Sequence, residues 1–513
     1  MGRGGGARAR RPLPPGAGAA GPRRPSARRA GRLAAPLAAL LAAGSGVASS
    51  GLVGSRPIGT HGVAAAQDPL EGIAGFFARA TTVRWAGARV PRPAIVPRPV
   101  GAVPLGRAAF LPLTVHGDPA VVAPAVAADA LAALEEAAVL LARAGWPAPY
   151  PDGGRGGTAG FDLYLGTPEE LARPSESDGR RGAGPGYEAR ADADALDPFF
   201  DAAVAHAVVD ASLPPEDLAA CVAAAYVDAA LLGQDPAEAP EWRRATGAYA
   251  AFLVTGRFGC DDAAVRAAAA EPWRAPVADA SDYDREPARS LDARAAPGAV
   301  FLASLDAYRT AGTGWLAREA WQFTRQRTWE GYGLRGSPQL FEVFDKLFPH
   351  DDEQIHDVLE ALAVRRYLAG VGHPAPGLAP LALPPQPAAG PFAWSALPKK
   401  RSFVSPPLEP WGVAYARVDT RAAREGEALR VWLRGEGGVR WLLAAVRLSA
   451  DGRDLGRVSA PVTQAHNAYL RLDLTPDTAE VLVVAIDLSS RLPSADTTDV
   501  NERGLELVLD KAS

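Results

Sequence analysis

The chain has 513 residues, too many for one hydrophobic core and enough for two or three domains with unstructured segments between them. Its charge is split: residues 1–67 hold ten Arg and no acid, so of 54 basic and 58 acidic residues, 44 against 58 remain from Asp68 onward, a formal charge near −14. Such a surface repels phosphate backbones, and no basic stripe is interleaved with aromatics, so nucleic acid is excluded as an expected partner. Ala, Arg, Gly and Pro dominate while Lys occurs four times and Met once, the mark of GC-rich bacterial codon usage, so the Arg excess carries little functional meaning.

Nine Arg by position 32 run into the apolar stretch Leu33 to Ala43, and a small-residue exit at Val47-Ala48-Ser49 follows. That is the pattern of a signal peptide, with Arg28-Arg29 and Ala64-Ala65-Ala66 as weaker signals. The other reading is a disordered leader or a start codon set too early. Eleven apolar residues are too few to span a bilayer, and no later run is long enough. The expectation is therefore an exported protein, periplasmic, cell-surface or extracellular, with no spanning helix in its mature chain.

Residues 68–106 are Pro-rich and lack a period, as in a surface-hugging or flexible lead-in. Leu111, Leu113 and Val115 alternate as in a strand, Ala125 to Ala144 has helical periodicity, and Phe161 to Leu165 alternates again. The Ala-rich stretch Pro198 to Ser212 reads as a helix. Cys221 and Cys260 permit one disulfide in an exported chain, two buried thiols being the alternative. From Pro215 to about Leu368 the pattern is helical, with a capped start predicted at Ser337-Pro338 and apolar stripes at Leu340 to Phe348 and Ile355 to Leu362. Trp315, Trp321 and Trp329 suit either that core or an exposed aromatic platform, and His350 and His356 flank an acidic helix start.

Residues 372–405 form a Pro-rich linker by composition. Beyond it, the runs Val413 to Val418, Leu429 to Leu433, Trp441 to Leu448, Ala468 to Leu474 and Val481 to Leu488 predict a small β-sandwich over 406–513, able to fold alone between about Pro410 and Leu509. The fold class expected is α+β: leader 1–67, lead-in 68–106, mainly helical domain 107–371, linker 372–405 and β-sandwich 406–513.

The stretch His206-Ala207-Val208-Val209-Asp210 carries the functional question. Two imidazoles four apart on one helical face reach one zinc, with a Glu beside the first acting as base; here Ala207 takes the Glu position and Asp210 the second His position. By itself this is an ordinary helix histidine. With the order of elements around it, however, the chain resembles a family of secreted zinc metallopeptidases of the gluzincin kind over about residues 107 to 510. The resemblance implies a gluzincin-like fold and a third ligand in Arg244-Ala245-Thr246-Gly247-Ala248-Tyr249, where a Glu is replaced by Arg244, or by Arg243 one position earlier.

His206 is then the one ligand retained, with the base absent at Ala207 and a cation at the third position. The expectation is a binding or structural pseudoenzyme with an unidentified protein or peptide partner and no cofactor, in which Asp210 and Arg244 pair where zinc once joined two helices. The alternatives are a working zinc hydrolase built on His206, Asp210 and an unplaced acid, and an unrelated exported α+β binding protein. There is no phosphate loop, Cys-x-x-Cys pair or nucleophile elbow in the mature chain.

Overall fold

A computed structural model describes residues 89–90, 96–171, 186–194, 202–236, 238–276, 289–310, 313–325, 334–335, 343–344, 355–373, 383–436, 440–461, 467–488 and 503–512. The leader and its cleavage signals, Trp329, the Ser337-Pro338 start, most of the Leu340 to Phe348 stripe and His350 lie outside these residues. The fold is mixed α and β.

The chain opens with a short pair, β1 (Arg89–Val90) on the distant β7 (Leu334–Arg335). A five-stranded sheet follows, built from β2 (Val103–Arg107), β3 (Leu113–Gly117), β4 (Phe161–Gly166), β5 (Tyr187–Asp194) and β6 (Ala203–Asp210) in the order β2-β3-β4-β6-β5. Strands β3, β4 and β6 are parallel, and the antiparallel β2 and β5 close the edges. A parallel neighbour needs a crossover; α1 (Pro124–Arg143) supplies it between β3 and β4, burying Ala130, Leu134, Ala137 and Leu141. The short α2 (Pro168–Leu171) follows β4.

The segment expected as a helix around His206 is strand β6. Both of its faces are buried, so it reads as a continuous apolar run, and periodicity cannot separate such a run from a helix. Pro198 before it, Pro214 after it and the β-branched Val204, Val208 and Val209 were the available signs of a strand.

The helical part comprises α3 (Pro215–Leu232), α4 (Pro240–Thr255), α5 (Asp262–Ala269), α6 (Leu291–Thr310), α7 (Trp315–Thr324) and α8 (Ile355–Gly370). Pro215 and Pro240 open α3 and α4, where a missing N–H costs no hydrogen bond. Gly256 closes α4 with φ 75°, a left-handed C-cap that a side chain would strain. Cys221 on α3 is bonded to Cys260 in the turn before α5, with Cα atoms 5.6 Å apart. No helix among the described residues is long and apolar enough to cross a membrane.

Part of the span expected as linker is strand: β8 (Ala389–Ala393) and β9 (Lys399–Leu408) belong to the C-terminal sheets. With β10 (Val413–Asp419), β11 (Ala428–Gly435), β12 (Trp441–Leu448), β13 (Asp454–Ser459), β14 (Asn467–Asp473), β15 (Glu480–Asp487) and β16 (Arg503–Ala512), they form one sheet ordered β13-β12-β15-β10-β8 and another ordered β14-β11-β16-β9. Composition misled because both expected-linker strands contain Pro, which edge strands tolerate.

The strand β10 serves two cores by its period of two. Ala414, Ala416 and Val418 pack with Val431, Leu472 and Leu507 of the other sheet, while Val413 and Tyr415 face the helices together with Leu442, Val484 and Ile486. Tyr415 donates to the Ala363 carbonyl of α8 at 2.8 Å and its ring lies 5.3 Å from that of Tyr367. Arg274 bridges to Glu409 at 2.9 Å. The C-terminal sheets therefore close a core of their own between them and present a second apolar face to the helices.

Candidate functional site

The expected metal motif does not assemble. On β6, His206 and Asp210 share a face but lie about 13 Å apart along the strand, against about 6 Å on a helix. Ala207 points the other way, into the core against the helices. Asp210 accepts hydrogen bonds from the Ser212 N–H (2.8 Å) and hydroxyl (2.7 Å), an Asx-type turn at the strand end, and does not pair with Arg244.

His206 instead belongs to a polar cluster on the sheet face away from α1 and α3. Alternation places Thr114 and His116 of β3, Asp162 and Tyr164 of β4, and Arg190 and Asp192 of β5 on this face. The lead-in lies against it, its Val96 N–H bonded to the Ala191 carbonyl at 2.9 Å. Arg98 pairs from there with Asp192 (2.6 Å), Asp152 (2.7 Å) and Asp162. His116 Nε2 lies 2.9 Å from Asp162 Oδ1, and the His116 ring stacks on Tyr164 at 4.8 Å. Burial opposes ionisation of Asp162, but His116 and Arg98 outweigh it and hold the carboxyl below its usual range.

His206 is fully buried, meets the Tyr164 ring edge-on at 5.4 Å, and has no hydrogen-bond partner at either nitrogen among the described residues. Burial, reinforced by Arg98 and Arg190, pushes its pKa down to about 3. It is therefore neutral at ordinary pH. The cluster clasps the segment around Val96 and Arg98 to the sheet, with one guanidinium set among three carboxylates.

A second buried network lies where α3 meets α4. A Cβ on Gly247 would sit 2.9 Å from the Ala224 carbonyl oxygen, so the two helix backbones approach closely there. Four residues along α3, Asp228 pairs with Arg243 of α4 at 3.2 Å. Ala224 and Asp228 are thus the i, i+4 pair that α3 turns toward α4. Arg244, 1% exposed, bonds Asp261 at 2.9 Å and the Tyr187 carbonyl at 2.7 Å, and its guanidinium lies 3.7 Å from the Tyr187 ring centroid.

Burial pushes Asp261 up to about 6 against the pull of Arg244, with Asp292 and Asp228 adding to the rise. Burial likewise raises Asp228, against Arg243 and Arg244. Of Ala224, Asp228 and Arg244 only the Asp offers Zn²⁺ a donor; the Ala has none and the guanidinium repels the ion. Among the described residues no group of three or more His, Cys, Asp or Glu is placed to hold a metal ion.

Of the tryptophans considered for a platform, Trp321 is buried with Nε1 donating to Thr246 at 3.0 Å, and Trp315 packs partly buried against the same core. The clasp residues Arg98, Asp152, Asp162 and Asp192 were not singled out from sequence. The one local signal was the alternation of Phe161 to Leu165, which sets Asp162 and Tyr164 opposite the apolar side. No family model matches the chain, and no curated protein is significantly similar to it.

Proposed function

We propose that the chain is an exported protein of metallopeptidase-like, gluzincin-type architecture, with a C-terminal β-sandwich, that acts by binding and not by hydrolysis. One observation carries this reading: a buried guanidinium, Arg244, stands on α4 beside a helix whose i, i+4 positions hold Ala224 and Asp228. A two-helix zinc site needs three donors and an adjacent base. Here the ligand-bearing helix is assigned to α3 in place of Pro198–Ser212, and ion pairs of Asp228 with Arg243 and Asp261 with Arg244 hold α3, α4 and the following turn together. Ala225, next to Ala224, cannot take a proton.

The two facing C-terminal sheets with a common apolar cluster support the sandwich assignment. The Cys221–Cys260 bond supports export, since such bonds persist in oxidising compartments.

Metal analysis and a peptidase assay test the reading directly. The purified chain is expected to carry well under one zinc and to show no chelator-sensitive cleavage, and stoichiometric zinc with chelator-sensitive activity would overturn the loss of chemistry. The combined substitution Ala224→His, Asp228→His and Arg244→Glu should create a zinc site. A folded but zinc-free triple variant would count against the architecture and leave the missing chemistry untouched.

A further inference from the structure

The outer face of the β14-β11-β16-β9 sheet carries a built surface that neither buried network uses. Register places Trp432 of β11 opposite Tyr469 on one side and Val508 on the other, with Lys400 opposite Val508. The Trp432 and Tyr469 rings lie 5.2 Å apart, inclined at 41°, and Tyr469 is 47% exposed. The Arg430 guanidinium sits over the Trp432 ring at 5.4 Å from its centroid and braces it.

On both sides of this aromatic row the charges are matched. Arg430 pairs with Asp510 at 2.6 Å, and across the row Arg434 lies 3.9 Å from Glu506. At the edge strand Arg471 pairs with Asp473 at 3.0 Å. Lys400 lies 3.9 Å from Glu506, so each of these four cations has an acid in reach.

We propose that this face, centred on Trp432 and Tyr469, binds a neutral, hydroxyl-rich carbohydrate chain. Paired ions have little net field to attract a nucleic acid or an anionic membrane, but their guanidinium donors and carboxylate acceptors remain available to hydroxyls, which need both. Two inclined aromatic rings supply the apolar surface on which the C–H face of a sugar ring rests. The apolar area is a narrow row rimmed by ions, too small and flat for a helix or an apolar peptide. The site stands apart from α3 and α4, so it does not depend on whether the helical part hydrolyses anything.

Affinity electrophoresis and tryptophan-fluorescence titration of the full chain test this with hydroxyethyl cellulose, arabinoxylan, galactomannan and dextran as neutral probes, and polygalacturonate and duplex DNA as anionic ones. At least one neutral polysaccharide should retard the protein. Trp432→Ala and Tyr469→Ala should each weaken that binding by about tenfold or more, and Tyr469→Phe should retain most of it. Because Tyr469 is exposed, its variants should keep the parent melting temperature, so lost binding reads the surface and not the fold. The proposal fails if no neutral probe binds, if binding survives both alanine substitutions, or if only the anionic probes bind. It also fails if sedimentation shows the face buried in a dimer that Trp432→Ala dissociates.

Discussion

His206 makes the stability of the fold depend on pH in a way that one substitution should remove. Burial, with Arg98 and Arg190 nearby, lowers its pKa from 6.5 to about 3. The unfolded chain takes up a proton at this ring below pH 6.5 and the folded chain does not until about pH 3. The contribution to stability is therefore complete above pH 6.5 and is lost as pH falls toward 3. At about pH 4.5 the loss is two pH units' worth, or about 3 kcal/mol. His206→Leu removes the titration together with two nitrogens that have no partner among the described residues, so the variant at pH 7 should lie within about 1 kcal/mol of the parent. Urea unfolding at pH 7 and pH 4.5 measures the difference. The parent should lose about 3 kcal/mol more than His206→Leu between the two conditions. Parallel losses would refute the argument, because every other titrating group is common to both proteins.

Replacing Cys221 and Cys260 by Ser opens a loop of sequence separation 39 and should cost about 4 kcal/mol by chain entropy, read from the urea midpoint under non-reducing conditions. An unchanged midpoint would show that the bond contributes nothing in solution. Residues 406–513 expressed alone should aggregate or bind a hydrophobic dye, since the face carrying Val413, Tyr415, Leu442, Val484 and Ile486 is covered by helices in the whole chain. A monomeric, cooperatively melting fragment would show that this face needs no cover.

What was legible in the sequence followed from amphipathic periodicity. Helix α1 and strands β4, β10, β12 and β15 fall where alternating or 3.6-residue patterns put them, because each has turn signals or polar residues at its ends. Strand β6 was not legible: buried on both faces, its only polar positions are His206 and Asp210, and a spacing of four fits one face of a helix as well as one face of a strand. That error carried the metal motif with it, since spacing that brings two side chains together on a helix separates them on a strand. The acid facing α4 is Asp228, set within an Ala-rich helix buried nearly all round, where no stripe marks the inward side. The Arg98 clasp joins residues 94 positions apart, beyond the reach of any local pattern. The surface of Trp432 and Tyr469 depends on strand register, which the sequence restricts but does not specify.

The two buried networks answer acid in opposite directions, and their sum predicts more than either does alone. Asp261, raised from 3.8 to about 6, contributes stability that is complete below pH 3.8 and is lost as pH rises through about 6. His206 contributes in the reverse sense. Between pH 6 and pH 4 the imidazole removes about 3 kcal/mol and the carboxyl returns about 2, so the net change should be under about 1 kcal/mol. Salt bridges at the surface would not produce this, because screening keeps their contributions small. The contributions of these two groups therefore nearly cancel across mildly acid pH, and removing His206 should leave the carboxyl's gain unopposed, so that the variant gains stability relative to the parent as pH falls from 6 to 4. Should the His206→Leu curve instead run parallel to the parent's, His206 would not be titrating as its surroundings require, and should it fail to rise toward acid, Asp261 would not be.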